Sequence, residues 1–194
     1  VEAGPTGGIP ASGLSVGAAS NPWCITDQPS QFDFYDGGGL DVTCLGAAEI
    51  DAEGNVNVSR YGPKLPGCGG FIDISQNAKR LVFMGTMTAG ATLAVQGGEV
   101  KVVEEGRFRK FVSEVQQRTF SAAIAVKRGQ PVLFVTERCV LRLTPRGIEL
   151  VEVAPGLDVE GHVLSQMDFR PLVADDLKIM DPRCFAEGLM GLRP

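Results

Sequence analysis

Glu2 heads the run Glu2-Ala3-Gly4-Pro5-Thr6-Gly7-Gly8-Ile9-Pro10, and a second glycine loop, Gly67-Cys68-Gly69-Gly70, follows further along the chain. A carboxylate is ionised at neutral pH. It can attack a thioester carbonyl because the departing thiolate is a good leaving group. The thiolate can then reopen the mixed anhydride and leave an enzyme thioester, so that one hard exchange becomes two easier ones. Such chemistry builds negative charge on a carbonyl oxygen, which fixed backbone N–H groups stabilise. Glycines at positions 4, 7 and 8 leave no side chain in the way of a large substrate approaching Glu2, and those at 67, 69 and 70 free the backbone to aim its amides. The pairing points to acyl transfer through a covalent glutamyl intermediate. Taken singly, each loop also has a plain meaning: Glu2 as an exposed glutamate near a chain end, and Gly67–Gly70 as the tight turn that such runs more often are.

Other candidates carry less. Gly37-Gly38-Gly39 lacks the Lys-Ser/Thr of a nucleotide loop and reads as a turn. His162 is the sole histidine and no Gly-x-Ser-x-Gly elbow occurs, so a Ser-His-Asp system has little to draw on. It reads as a surface or packing residue. Cys68 has only Lys64 as a cationic neighbour in sequence and is not assigned as a reactive thiol. Five widely spaced cysteines without a Cys-x-x-Cys pair suit neither zinc nor a disulfide framework. They read as reduced, mostly buried thiols of a cytosolic protein, with no metal site.

At 194 residues, 44% hydrophobic and 21% charged, the chain fits one globular domain, 1–194. Its net charge of −5 has no basic stripe, which argues against nucleic acid. No apolar run approaches a membrane span and no signal segment opens the chain. A functional loop at residue 2 leaves no room before it for a supporting scaffold. The absence of an initiator methionine agrees with that, so the expectation is a fragment, a separately made domain, or a subunit whose partner lies upstream.

The elements that must position these loops follow from pattern. Residues 1–22 read as an extended loop, and Phe32–Asp36 leads into the triple-glycine turn. Leu40–Ile50 reads as a buried strand, Asp51–Asn55 as a turn and Val56–Ser59 as a short strand. Lys79–Met87, apolar throughout its centre, is the clearest central strand. Ala91–Val103 turns at Gly97-Gly98 as a hairpin, and Phe111–Val115 adds a strand. Ser121–Arg128 is a helix candidate. Strands follow at Pro131–Glu137, Cys139–Leu143 and Ile148–Val153. Asp158 caps a helix of about ten residues, and Pro171 and Asp175 introduce the last segments. The class is α/β.

Several stretches, in this order, resemble the family I coenzyme A-transferases, specifically the C-terminal (β) half of the fused acetate/propionate/acetoacetate type. They are Glu2–Pro10, Phe32–Asp41, Asp51–Ser59, Gly67–Lys79, Val135–Cys139 and Met167–Phe169. The resemblance covers essentially the whole chain. It implies a three-layer α/β/α domain with an open, largely parallel sheet and added hairpins. It also implies Glu2 as the residue forming the acyl anhydride and glutamyl–CoA thioester, with oxyanion amides drawn from Gly67, Gly69 and Gly70. Gly4, Gly7 and Gly8 become the CoA-approach loop. CoA is substrate and carrier, with no further cofactor. The absent upstream (α) half is the expected partner, in a cytoplasmic homo-oligomer, and the domain alone is expected to be weak or inactive. Val16 stands where relatives often carry an aromatic, an expected change of packing only. Rival readings are an acyl-CoA hydrolase on the same scaffold, a non-catalytic assembly half, and sugar-phosphate isomerisation on the same broad fold.

Overall fold

A computed structural model describes residues 1–12, 15 and 17–192. Val16 and its neighbours Gly13 and Leu14 lie outside the described residues. The centre is a six-stranded sheet in the order Leu172–Ile179, Gly147–Val153, Cys139–Thr144, Val132–Val135, Leu81–Met84, Thr43–Gly46. Leu81–Met84 pairs in parallel with both its neighbours. Cys139–Thr144 runs antiparallel to the strands on either side, and Gly147–Val153 is again parallel to Leu172–Ile179. The protein is therefore α/β with a mostly parallel sheet, as the resemblance implies. The hairpin Thr92–Gln96/Glu99–Glu104 turns at Gly97-Gly98 as the pattern predicts.

Period-2 alternation decides which face of the sheet is dry. Leu81, Phe83, Val132, Phe134, Leu141 and Leu150 project into one core. Two helices close over it: α2 (Phe71–Asn77), through Phe71, and α3 (Ala122–Arg128), through Ala125. Phe83 stacks on Phe71 at 5.8 Å and on Phe134 at 5.4 Å, with Phe120 edge-on at 5.1 Å. Burying one such side chain stabilises by about 1.5–3 kcal/mol. On the other face Leu133, Val135, Val140 and Val151 meet Leu93 and Val100 of the hairpin.

A buried ion cluster joins the hairpin to the sheet. Arg138, fully buried, donates from both terminal nitrogens to Glu105 at 2.8 Å, from Nη1 also to the His162 carbonyl at 3.0 Å, and from Nε to Glu137 at 3.2 Å. The Arg138 hydrogen bonds hold the Glu105 carboxyl down at about 2. For Arg138 itself burial opposes the charge, but Glu105 and Glu137 outweigh it and its pKa rises.

Five expectations need correction. Phe32–Asp36 lies within a helix, α1 (Gln28–Asp36), capped by Asp27, which accepts from the Ser30 N–H. Gly37 ends it, so the triple glycine is a structural turn. Leu40–Ile50 is not one buried strand: Thr43–Gly46 is a half-exposed edge strand, and the separate rung Glu49–Ile50 pairs with Val56–Asn57. Phe111 is buried, but its segment crosses the core making only isolated bridges to Ile50 and Met167. The thiols are not mostly buried, since Cys24, Cys44, Cys68 and Cys184 are exposed and only Cys139 is enclosed. The helix after Asp158 is also short, α4 (Val159–His162), followed by a 3-10 turn at Leu164–Gln166.

Candidate active site

The Gly67–Gly70 loop is positioned from behind. Phe71 and Ile74 bury one face of α2, and α2 runs by way of Ala78 into the central strand Leu81–Met84. The loop is thereby held against the most buried part of the sheet. Gly70 caps α2, where the first amides of a helix have no partner within it. The Gly70 N–H donates to Glu2 Oε1 at 3.1 Å, across 68 residues of sequence. This joins the two loops that composition alone had left apart.

A side chain on Gly70 would have to push Phe32 and Glu2 aside. A β-carbon there would stand 2.3 Å from the Phe32 ring and 2.6 Å from Glu2 Oε1. Gly69, at φ +51°, turns the chain beside it, with Glu2 Oε1 3.9 Å from where its β-carbon would be. Gly67 is placed differently, because its N–H is already given to the Ser59 carbonyl at 3.2 Å.

The Glu2 loop folds back on residues 19–26 as a two-rung antiparallel ladder, Pro5–Thr6 on Cys24–Ile25 and Ile9–Pro10 on Ala19–Ser20. Gly4, Gly7 and Gly8 serve that close approach. β-carbons on them would reach the Thr26 carbonyl at 2.1 Å, the Trp23 ring at 2.7 Å and the Ser20 carbonyl at 2.3 Å.

Around Glu2 lies an open cleft of about 380 Å³ lined by Gln28, Pro29, Phe32, Gly69, Gly70 and Asp73. Gln28, Pro29 and Phe32 come from the first turns of α1, and Asp73 from α2. The sequence reading missed all four. The signal that could have found them was Asp27 with Pro29, a helix start that sets Gln28 and Phe32 four apart on one face. An exposed carboxylate held by one amide can attack an electrophile placed in the cleft. The amide can then serve the oxygen on which charge develops.

The remaining candidates lie apart. His162 Nδ1 accepts the Asp158 N–H at 3.0 Å at the end of α4. Cys68 is exposed and lines a neighbouring depression with Arg118 and Thr119. Burial pushes the Cys139 thiol up to about 12, which makes it inert. Among the described residues no cluster of three or more His, Cys, Asp or Glu side chains could hold a metal ion.

No protein-family model matches the chain. Individual relatives do. The chain is 47% identical over 192 residues, 98% of its length, to the acetate CoA-transferase YdiF of Escherichia coli K12. It superposes with a TM-score of 0.91 and 44% identity on the acyl-CoA transferase YdiF of E. coli O157:H7 in its thioester complex with CoA, over 99% of this chain. It is 28% identical, over 85% of its length, to the acetate CoA-transferase subunit beta of Haemophilus influenzae. This chain is a β-type domain of the family I coenzyme A-transferases. It spans only 36% of the length of YdiF, and 67% of the Haemophilus subunit. Among the described residues no helix is long and apolar enough to cross a membrane.

Proposed function

We propose that this domain carries the nucleophile of a CoA-transferase, which moves CoA from a short-chain acyl-CoA to a free short-chain carboxylate by a double-displacement route. The Glu2 carboxylate attacks the thioester carbonyl and expels the CoA thiolate, giving an acyl–glutamyl anhydride. The thiolate then attacks the glutamyl carbonyl, which releases the first carboxylate and leaves a Glu2–CoA thioester. A second carboxylate attacks that thioester, and the thiolate returns to the acceptor acyl group, restoring Glu2. The chemistry needs no metal or redox cofactor. The observation that carries this reading is the Gly70 N–H on Glu2 Oε1 at 3.1 Å, nucleophile and amide donor in one cleft. Of the three glycines expected to serve the oxyanion, Gly70 is best placed and Gly69 stands next to it. Gly67 acts by shaping the turn, because its amide is in use.

The cleft lies open on one side. We assign its closure, and much of the choice of acid, to a complementary CoA-transferase α half, with the assembled protein a cytoplasmic oligomer and the domain alone weak in turnover. The test is intact-mass and peptide-mapping spectrometry of the native protein incubated with acetyl-CoA or acetoacetyl-CoA without acceptor. The expected result is a CoA adduct on the peptide holding Glu2, discharged by acetate. Steady release of free CoA with no adduct would turn the reading toward an acyl-CoA hydrolase, in which water opens the thioester. Neither adduct nor turnover would leave a non-catalytic assembly role.

A further inference from the structure

We propose that Phe32 shields the glutamyl centre from water, and so sets how much of the Glu2–CoA intermediate is transferred and how much is hydrolysed. This rests on the reading that Glu2 carries the intermediate, and it adds the side chain that protects it. A β-carbon built on Gly70 would meet the Phe32 ring at 2.3 Å and Glu2 Oε1 at 2.6 Å. The ring edge and the carboxylate oxygen therefore crowd the same point, on the glycine whose amide holds that oxygen at 3.1 Å. Among the side chains lining the cleft, Phe32 is the one large apolar group.

The competing step sets the requirement. A water oxygen attacks the glutamyl carbonyl of the thioester, the C–S bond breaks and Glu2 regains its carboxylate. One proton of that water goes to the departing thiolate and the other to a base. Asp73 lines the same cleft and offers such a base. An acceptor carboxylate is already ionised and needs none. A water held beside the carbonyl also needs two or more polar partners. A ring edge offers none, and it fills space at the oxygen that water would otherwise take.

The ring is held in place. It packs edge-on against Tyr35 at 5.3 Å, and Tyr35 is the buried anchor of α1. The Gln31 amide donates to the Tyr35 hydroxyl at 2.5 Å. At the end of the same helix Asp36 accepts from the Asn77 side chain at 3.1 Å, and Asn77 ends α2. Helix α1 is thus tied to both ends of α2, by Phe32 at Gly70 and by Asp36 at Asn77. Phe34 on the same helix lies elsewhere: its ring meets Gly39, and it does not line the cleft. It supplies a control.

The test gives the native protein acetyl-CoA and propionate and measures propionyl-CoA and free CoA together by chromatography. Phe32→Ala is expected to raise the ratio of free CoA to propionyl-CoA several-fold, with the CoA adduct still forming on the peptide holding Glu2. Phe32→Leu keeps an apolar cover and should return the ratio toward that of the wild type. Phe34→Ala should leave the ratio unchanged. A thermal melt checks each fold. Should Phe32→Ala not fold, Phe32→Gln takes its place, and its polar side chain should raise the ratio above that of Phe32→Leu. Transfer and free-CoA release falling together, at an unchanged ratio, overturns the proposal and leaves Phe32 a packing residue. So does Phe34→Ala raising the ratio as far as Phe32→Ala. A wild-type protein that forms no adduct sinks the functional reading and this one with it, whereas a wild-type adduct with an unchanged ratio in the Phe32 variants sinks this one alone.

Discussion

A β-carbon on Gly70 would collide with Phe32 and with Glu2 at once. Gly70→Ala should therefore rotate the carboxylate off its amide and cut transfer by about 10²–10³-fold. The same substitution at Gly67, whose amide is spent on Ser59, should cost less catalysis and show mainly as backbone strain at φ +82°. Steady-state kinetics with acetyl-CoA and acetate separates the two, and equal losses would refute this division of labour. On the proposed mechanism Glu2→Gln should lower transfer by about 10³-fold or more and abolish the adduct, because a carboxamide is a poor nucleophile toward a thioester, and the Gly70 amide rests on Glu2 and not on Asp73, the other carboxylate of the cleft. Brief alkylation with iodoacetamide should label Cys24, Cys44, Cys68 and Cys184 and spare Cys139, whose thiol burial pushes up to about 12. At this scale the residue types of Glu2 and the Gly67–Gly70 loop were legible, because few side chains suit thioester exchange. Phe32, Gln28 and Asp73 were not, since they reach Glu2 only through the packing of α1 beside α2.

Elements divide the same way. The central strand, the Gly97-Gly98 hairpin and α3 follow from local pattern: an apolar run, a two-glycine turn, and Ser121 before Ala122–Arg128 with Gly129 in the left-handed region closing it. Helix α1 escaped because its surface is mostly wet, with Tyr35 its only buried side chain, so no apolar stripe announces it. Its cap was the available cue. Asp27→Ala should lower the urea midpoint through loss of the cap, and should loosen Phe32 against Gly70. The edge strand Leu172–Ile179 was missed for a related reason, its charged Asp175, Asp176 and Lys178 hiding the alternation. The Arg138–Glu105 pair sets a pH response at the same scale. Glu105 titrates near 2 when folded against an ordinary 4.5, so its contribution is complete above pH 4.5 and is lost as pH falls toward 2. The urea midpoint of the wild-type protein should fall through that window, and that of Glu105→Gln should fall less. Arg138→Ala should destabilise the protein by emptying a fully buried site and by removing the ion pairs of Glu105 and Glu137, which stay partly in contact with water.

At the scale of the whole molecule, the α/β class and the mostly parallel sheet were readable from the order of apolar runs and from the resemblance they carry. The folding back of the first 26 residues was not, since the glycine and proline density that forbids a long strand says nothing about two-residue rungs. The arrangement divides labour across the chain. A dense aromatic core around Phe83 fixes α2 and its loop, while Glu2 sits just ahead of a thin ladder at the periphery. Turnover by this domain alone should accordingly be slow, and supplying the complementary half should raise it by orders of magnitude; equal rates with and without that half would place the acid site within these 194 residues. The stacking of Trp23 on Gly7 has an optical consequence. The chain holds a single tryptophan, so the indole emission of the domain comes from one place, beside Gly7 and tied by its backbone N–H to the Thr6 carbonyl of the loop that Glu2 heads. Its wavelength, lifetime and anisotropy read the polarity and motion of the Glu2 loop without any attached dye, and on the proposed mechanism acyl-CoA binding, intermediate formation and discharge are each expected to register in the light of that one ring.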